Sequence, residues 1–354
     1  MPDPINVAGF EEAARELLDP GAYGYFAGGA GDEWTLAENV DAFRRWRLRP
    51  RVLVDVGATN AQTTVLGTPV SLPVLVAPTA FQRLAHVDGE PAAARAAARA
   101  GTVYCLSTLS SVTPAELAQA APDGRKWFQL YWSRDRGFTR ELLAATADAG
   151  FEAVLFTVDF PAAGRRERDI RARFRLPADL PTPNVPRPLD TEDFHGRLGE
   201  IVDPTLTWHD LEWYRDECSL PLLVKGVLTA EDALLAAEHG ADGVIVSNHG
   251  GRQLDGTPAS LDVLEEVIEA VADRVEVLLD GGVRRGIDVL VALALGAQAV
   301  LVGRPAIWGL AVGGEDGVAR VLELFRAEVE LGLKLLGCPS PDDVGRNAVA
   351  RNRR

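Results

Sequence analysis

The chain has 354 residues, of which 47% are hydrophobic and 25% charged, a composition typical of a globular protein. Its formal net charge of −15 argues against nonspecific nucleic-acid binding, which needs a cationic surface. No stretch approaches the roughly 18–20 apolar residues that span a bilayer, and the N-terminus lacks the features of a signal peptide. The three cysteines are scattered without metal-ligand spacing, which fits a reducing compartment. We therefore expect a cytoplasmic protein with no nucleic-acid partner, no membrane association and no metal.

Residues 1–70 are predicted to form an N-terminal helical extension that precedes the main fold. Residues 10–18 have helical spacing, and Pro20 and Gly21 end that helix. Tyr25 follows in a glycine-rich stretch, where its hydroxyl either approaches a ligand or packs against the end of the fold. Two short alternating runs, residues 52–56 and 63–66, predict a small hairpin outside the main body.

From residue 71 onwards, short apolar runs alternate with segments of helical periodicity. Thr113 and Thr229 are typical helix N-caps, and glycines close several of the helices. The pattern predicts an α/β fold, a (β/α)8 barrel of parallel strands (TIM barrel), as a single domain over residues 1–354. A doubly wound open sheet is the alternative, but its dinucleotide-binding fingerprint is missing. The eight predicted strands are residues 72–77, 102–106, 127–131, 153–158, 222–224, 243–246, 275–279 and 299–302.

The connection after the fourth predicted strand, residues 160–205, is much longer than the others. It is rich in proline and shows little periodicity. Long connections in compact domains are usually functional lids or disordered segments. Because this one leaves a strand end where barrel enzymes keep their active site, we predict that it forms a lid over that site.

The sixth predicted strand leads into residues 243–255, which read GVIVSNHGGRQLD. His249 follows the apolar strand directly, and Arg252 lies three residues later on a glycine-rich loop. A lone histidine in this place is more often an ordinary polar loop residue, but several other strands of this chain also end in polar groups. A proton acceptor beside a guanidinium that can bind an anion through two parallel hydrogen bonds predicts a catalytic site.

Glycines and arginines follow the seventh and eighth strands, in DGGVRRG and VGRP. They lie at the usual phosphate position of a barrel enzyme. Either motif alone could be a tight turn between strand and helix, but the pair at this position favours a phosphate site. Polar residues at the other strand ends offer hydrogen bonds to a flat heteroaromatic ring, and Lys225 needs an anion or a ring acceptor because it follows an apolar strand. Together these features predict bound flavin mononucleotide (FMN). Pyridoxal phosphate is the alternative, but it would need a lysine free to form a Schiff base.

These motifs resemble those of the FMN-dependent 2-hydroxy-acid oxidases and dehydrogenases, a family that includes glycolate oxidase, lactate oxidase, mandelate dehydrogenase and hydroxymandelate oxidase. The similarity spans nearly the whole chain, in order and at the family's spacing. The motifs that carry it are PTA (78–80), FQLY (128–131), TVDxP (157–161), GRRERDI (164–170), LVKGV (223–227), VSNHGGRQLD (246–255), DGGVRRGxDV (280–289) and ALGA…VGRP (294–305).

The resemblance implies a role for each matching residue. His249 would be the base that takes a proton from the substrate, and Asp159 would orient its ring and stabilise its charge. The residues implied for the substrate are Arg252, Arg166 and Tyr25 at its carboxylate, and Tyr131 at its hydroxyl oxygen. The residues implied for the flavin are Pro78, Thr79, Ala80, Ser107, Gln129, Thr157, Lys225 and Ser247 around the ring, and Asp280, Gly281, Gly282, Arg284, Gly303 and Arg304 at the ribityl chain and phosphate.

The resemblance also bears on the electron acceptor and the substrate. Ala80 is the alanine usual in the family's oxidases, which favours oxygen as acceptor and hydrogen peroxide as product. Leu109 stands where plant-type glycolate oxidases have a tryptophan, which predicts room for an aromatic or medium-chain (S)-2-hydroxy acid beside Trp132 and Phe160. The alternatives are a dehydrogenase that passes electrons to a quinone or a carrier protein, an FMN-dependent barrel isomerase, and a non-catalytic flavin-binding protein. The family further implies a homotetramer.

Overall fold

Eight short strands close into a parallel barrel with helices around it, the architecture predicted from the sequence. The structure, a computed structural model, describes residues 4–187, 189 and 202–352. Neighbouring strands of the barrel follow one another along the chain, and the last pairs with the first. The strands are β4 (Val74–Val76), β5 (Val103–Ser107), β6 (Arg125–Leu130), β7 (Ala153–Thr157), β8 (Leu222–Val227), β9 (Gly243–Val246), β10 (Glu276–Asp280) and β11 (Ala299–Val302).

Alternate residues of these strands point into the barrel and pack there. The apolar ones include Leu75, Cys105, Trp127, Leu155, Leu223, Ile245, Leu278 and Leu301. Because side chains on one face of a strand recur every second residue, the next inward position on most strands falls at its carboxyl end. Six of these positions are polar: Ser107, Gln129, Thr157, Lys225, Ser247 and Asp280.

A hairpin closes the opposite end of the barrel. It joins β2 (Thr63–Val65) to β3 (Thr68–Val70), and its valines belong to the interior cluster of the barrel. Its two turn residues have left-handed backbones, Leu66 at φ 48° and Gly67 at φ 70°, as a tight two-residue hairpin requires. The predicted pairing of residues 63–66 with residues 52–56 was therefore wrong, since Leu53 is fully exposed and has φ 59°.

Twelve α-helices lie within the described residues, most of them on the outside of the barrel. The last one is interrupted at Gly313 and Gly314, whose backbone angles are not helical. The helices are α1 (Val7–Leu17), α2 (Pro20–Ala27), α3 (Trp34–Arg44), α4 (Gly89–Arg99), α5 (Pro114–Ala120), α6 (Arg136–Asp148), α7 (Glu167–Ala172), α8 (Asp210–Glu217), α9 (Ala230–Glu238), α10 (Ser260–Val271), α11 (Gly286–Ala294) and α12 (Arg304–Leu336); three short 3-10 helices span Gln82–Leu84, Pro341–Asp343 and Arg346–Ala348.

Helices α1 to α3 form the predicted N-terminal extension and are tied to the barrel by long-range contacts. The carboxylate of Asp255 accepts hydrogen bonds from the backbone NH groups of Asp32, Trp34 and Thr35 at the start of α3. Strand β1 (Trp46–Leu48) pairs antiparallel with β12 (Val349–Arg351). Within the part of the chain that the structure describes, no helix is both long and apolar enough to cross a membrane.

The connection after β7 packs onto the barrel where it is described. Phe160 is buried at its start, α7 lies within it, and the Asn184 side chain donates a hydrogen bond of 2.8 Å to the Ser110 hydroxyl. Residues 188 and 190–201 lie outside the described residues, so the lid over residues 160–205 stays a prediction.

Candidate active site

A cavity opens at the carboxyl ends of the barrel strands and, with its mouth, encloses about 1030 Å³. Two predicted site residues, Asp159 and Ser247, do not line it; they lie directly behind His249 and Lys225, to which they are hydrogen-bonded. All the others line the cavity: Tyr25, Pro78, Thr79, Ala80, Ser107, Leu109, Gln129, Tyr131, Thr157, Arg166, Lys225, His249, Arg252, Asp280, Gly281, Gly282, Arg284, Gly303 and Arg304.

His249 is held between a carboxylate and a phenol. Its Nδ1 lies 2.9 Å from Oδ1 of Asp159, and its Nε2 lies 3.4 Å from the hydroxyl of Tyr131. Its backbone NH donates to the Ser247 hydroxyl at 3.0 Å. Because Nδ1 faces a carboxylate, it carries the ring hydrogen, which leaves Nε2 as the proton acceptor on the cavity side.

The ionisation of these three groups suits general-base chemistry. Burial lowers the pKa of His249, although the Asp159 carboxylate opposes that effect. Burial alone would raise the pKa of Asp159, but the His249 ring and the Lys225 ammonium outweigh it and bring that pKa below its usual value. Burial, together with the charge of Asp159, raises the pKa of Tyr131. At neutral pH a neutral imidazole therefore lies beside an ionised carboxylate and a protonated phenol.

Two arginines and a tyrosine face the same part of the cavity. Nη1 of Arg252 donates to the backbone carbonyls of Tyr25, at 2.6 Å, and Gly28, at 2.8 Å, and the guanidinium lies 5.0 Å from the centre of the Tyr25 ring. Burial and the nearby Arg166 lower the pKa of Arg252 to about 10, so it is still a cation at neutral pH. Arg166 is itself buried. Two buried guanidiniums side by side favour an anionic ligand between them.

The polar strand ends predicted to surround a flavin ring meet across the barrel axis. The Lys225 ammonium lies 2.9 Å from the Ser247 hydroxyl and 3.0 Å from the Asp280 carboxylate. Burial alone would lower the pKa of Lys225, but the carboxylates of Asp280 and Asp159 raise it above its usual value, so the ammonium is charged. On the other side of the barrel, Ser107 donates to Oε1 of Gln129 at 3.2 Å.

The predicted phosphate loops after β10 and β11 come together at one corner of the cavity. A Cβ on Gly282 would lie only 1.9 Å from the backbone oxygen of Asn39, and φ there is 82°, so no other residue type fits. Burial lowers the pKa of Arg284, and burial with the neighbouring cations lowers that of Arg304. Among the described residues neither arginine forms an ion pair with a carboxylate. Arg304 instead donates to the carbonyls of Phe26, Gly28 and Gly250, at 2.9, 2.8 and 3.0 Å.

Comparisons with known proteins identify the family to which the chain belongs. Residues 14–351 match the family of FMN-dependent dehydrogenases. The chain belongs to the FMN-dependent 2-hydroxy-acid oxidases and dehydrogenases. It is 49% identical to the L-lactate oxidase of Nostoc sp., over 96% of each chain, and 44% identical to 2-hydroxyacid oxidase 1 of Homo sapiens, over 99% of this chain and 98% of that protein. A solved structure of mandelate oxidase superimposes with a TM-score of 0.92, at 42% identity and over 98% of each chain.

As a member of this family the chain is an oxidoreductase, and its cofactor is FMN. Independently of the comparisons, the polar groups of the cavity suit FMN. Among the described residues, Gln129 Nε2, Thr157 Oγ1 and Asp280 Oδ1 are buried without a hydrogen-bond partner. An unsatisfied buried polar group costs about 1–3 kcal/mol, and the edge of a flavin offers donors and acceptors to such groups. The phosphate of FMN would neutralise Arg284 and Arg304, which have no acidic partner in the described structure.

Three residues that the sequence analysis did not single out shape the site from behind. Gly226 has φ 109°, and a Cβ there would lie 2.7 Å from Cβ of Asp159. Gln253 donates to the backbone oxygen of Asp159 at 2.6 Å. Asn39 exchanges two hydrogen bonds of 2.8 Å with Asn248, the residue before His249. Gly226 and Gln253 lay within quoted motifs, but the contact between α3 and the end of β9 had no signal in the sequence.

The apolar part of the cavity differs in one residue from the prediction. Leu109 and Phe160 line it, and Phe160 packs against Tyr131 with ring centres 4.8 Å apart. Trp132 was expected beside them, but this was wrong. It is fully buried against Phe156 and Trp213, at 5.1 and 5.0 Å, because the alternation of β6 continues into the two residues after it and Tyr131 already takes the inward face.

Proposed function

We propose that this protein oxidises an (S)-2-hydroxy acid to a 2-oxo acid and transfers the electrons to oxygen, which yields hydrogen peroxide. The observation that carries the proposal is the position of Nε2 of His249, backed by Asp159 and beside Tyr131, in a cavity that also holds Arg166 and Arg252. A hydroxy acid presents a carboxylate for the arginines and a hydroxyl for the base. The substrate gives up two hydrogens in total, and oxygen takes up two.

The residues of the chain divide the work between binding and proton transfer. Arg252 and Arg166 bind the carboxylate and thereby fix the reacting carbon, with Tyr25 beside them. Tyr131 donates a hydrogen bond to the substrate hydroxyl oxygen, and Nε2 of His249 accepts a proton. The charge that then forms on the imidazole is stabilised by Asp159 at 2.9 Å. Bound FMN supplies the acceptor for the two electrons. Fixing the substrate before proton transfer removes much of the entropic cost of the reaction.

The choice of oxygen as acceptor rests on Ala80, which lines the cavity, and on relatives that are named oxidases. A dehydrogenase that serves a quinone or a carrier protein would use the same substrate residues. The two activities differ in the second half-reaction. The reduced enzyme mixed with air-saturated buffer should regain its yellow colour at a rate that supports turnover. A quinone in place of oxygen should not reoxidise the flavin faster. Slow reoxidation by air with fast reoxidation by the quinone would identify a dehydrogenase instead.

The substrate side chain is proposed to be aromatic or medium-chain. Leu109 and Phe160 give the cavity an apolar wall, and a mutant of mandelate oxidase, solved with (S)-mandelic acid, has the same fold at a TM-score of 0.90 and 43% identity. Each methylene that a fitted apolar pocket accepts is worth about 1–3 kcal/mol in discrimination. Mandelate or a medium-chain acid should therefore exceed glycolate by at least about 10-fold in specificity constant.

A panel of 2-hydroxy acids, scored by anaerobic bleaching of the flavin, tests both the reaction and the pocket. Leu109→Trp should reduce the rate with the large acids more than the rate with glycolate, because the indole fills the proposed side-chain space. Leu109→Ile, of equal volume, is the matched control and should keep the order of preference. If glycolate is the best substrate, or if Leu109→Trp keeps the order of substrate preference, then another part of the chain limits the size of the substrate.

Location and assembly remain proposals from the sequence and the resemblance. We propose a cytoplasmic homotetramer. Light scattering of the purified holoenzyme measures its mass directly, and a monomer of 38.0 kDa would contradict the tetramer.

A further inference from the structure

Two histidines and a glutamate lie close together at the junction of α8 and α9, outside the catalytic cavity. His209 immediately precedes α8, Glu212 lies in its first turn, and His239 follows the end of α9. Oε1 of Glu212 is 3.6 Å from Nδ1 of His209 and 4.0 Å from Nδ1 of His239. Two of the chain's five histidines thus meet at one carboxylate, although they are far apart along the sequence.

The spacing of these three atoms suits a single transition-metal ion. Zinc binds imidazole nitrogens and carboxylate oxygens at about 2.0–2.2 Å, so two ligand atoms of a tetrahedral site lie about 3.3–3.6 Å apart. The His209–Glu212 pair has that spacing at 3.6 Å, the Glu212–His239 pair exceeds it at 4.0 Å, and all three atoms lie within 4.8 Å of one another. The side chains of His209 and Glu212 are 80% and 70% exposed, so their rotation can bring the other two pairs to the tetrahedral spacing.

We propose that His209, Glu212 and His239 bind one zinc ion or a similar divalent transition metal, with water completing a tetrahedron. Imidazole ligands select zinc, copper, nickel or iron, whereas calcium and magnesium prefer oxygen ligands alone. This differs from the sequence prediction of no metal, which relied on spacing along the chain. His209 and His239 come from different helices, and only the fold brings them together.

The surroundings of the cluster favour a bound cation. The nearby guanidinium of Arg215 is neutralised by Asp242 at 2.7 Å, and the chain as a whole carries a formal charge of −15, which attracts cations. The ring of Trp208 stacks on His239 at 6.4 Å, which restricts its orientation. A metal here would fasten the start of α8 to the end of α9, so its main effect is on stability rather than on the chemical step.

The test is a zinc titration of the chelator-treated holoenzyme by isothermal calorimetry, with the melting temperature measured alongside. One ion per chain should bind and raise the melting temperature. His239→Ala and Glu212→Gln should each weaken that binding by at least about 10-fold, because even the loss of an outer-shell partner typically costs about 10–100-fold in metal affinity. His86→Ala is the matched control, since His86 has one carboxylate neighbour among the described residues, Asp88 at 3.7 Å, and it should leave the titration unchanged.

Cobalt identifies the ligands independently of stability. Bound Co²⁺ should give the intense visible absorption of a tetrahedral site in a difference spectrum against the untreated holoenzyme, and His209→Ala with His239→Ala together should abolish it. All variants should retain FMN and activity, which separates metal loss from unfolding. No zinc binding in the parent, equal binding in the variants, or loss of binding in His86→Ala would each overturn the proposal.

Discussion

The imidazole of His249 is fixed by its backbone as well as by its neighbours. Its φ of 58° lies in the left-handed region, which costs a residue with a side chain about 1–3 kcal/mol when the surrounding structure enforces it. The loop that enforces it contains Gly250 and Gly251, which also have positive φ. The resulting turn directs Nδ1 to Asp159 and Nε2 to the cavity, so the strain accompanies the orientation that the proposed proton transfer needs.

The ionisation of His249 predicts the acid side of the pH profile. The base must be neutral, so the specificity constant should fall as the pH drops through the His249 pKa, which burial places below the usual histidine value of about 6.5. Asp159 raises that pKa, and Asp159→Asn should therefore move the acid limb to lower pH while it also lowers the plateau. Steady-state profiles measure both effects, with the exposed Asp316→Asn as control. An acid limb that moves upward in Asp159→Asn would contradict this assignment.

At the scale of elements, the eight barrel strands were predictable because each is a short apolar run between helical segments. The polar strand ends expected around the flavin were predictable for a related reason, since the inward positions continue with a period of two into Gln129, Thr157 and Lys225. The pairing of β1 with β12 was not, because its strands are three residues long and about 300 residues apart in sequence. The β2–β3 hairpin was mispaired because a leucine at positive φ and Pro69 in its second strand hide the usual signals.

The contacts that support the site could not be predicted from the sequence, because they also join residues far apart along the chain. Asn39 reaches Asn248 across more than 200 residues, and no local pattern marks either end of that contact. Arg304 was expected at a phosphate, and it does line the cavity, but it also donates hydrogen bonds to three carbonyls, two at the end of α2 and one in the loop after β9. The strand-end positions and the resemblance predicted most of the side chains that reach the cavity, and only the folded chain shows which groups hold them there.

Strand β8 packs through Gly226 against Asp159, which forms the proposed catalytic pair with His249. An alanine there would combine φ 109° with a Cβ 2.7 Å from Asp159. We expect Gly226→Ala to lower stability by about 1–3 kcal/mol and to displace Asp159 from His249, so that flavin reduction slows. Stopped-flow reduction and chemical unfolding measure the two effects separately.

Gly150→Ala provides the matched control for that substitution. Gly150 also has a positive φ, 74°, but a Cβ there would meet no atom within 4 Å, and it lies outside the cavity. The Gly150→Ala variant should be less stable than the parent, but its flavin should be reduced at the parent rate. If Gly226→Ala reduces its flavin as fast as Gly150→Ala does, the position of Asp159 does not depend on this glycine.

At the scale of the whole molecule, an acidic protein carries a cationic cavity. The formal charge is −15, yet Arg284 and Arg304 line the cavity without an acidic partner in the described structure. A phosphate at this corner compensates both charges. The cofactor is therefore expected to be part of the folded state's stability as well as of its chemistry.

Removal of FMN should lower the melting temperature, and its return should restore it. A ligand at 100 times its dissociation constant stabilises the folded state by about 2.7 kcal/mol. Riboflavin has the same ring without the phosphate and should give a much smaller shift at equal concentration. The shifts are measured by differential scanning calorimetry of the apoprotein. Equal shifts of the melting temperature with riboflavin and with FMN would contradict the proposal that Arg284 and Arg304 bind the phosphate.

The central claim is that His249 is the base for oxidation of a 2-hydroxy acid. The most direct measurement is anaerobic stopped-flow reduction of the FMN-loaded His249→Gln variant, beside the parent, with the best acid of the panel. General bases contribute about 10²–10⁴-fold, so reduction should slow by at least the upper part of that range while the flavin spectrum shows FMN still bound. A variant that binds FMN and is reduced within tenfold of the parent rate would contradict the claim.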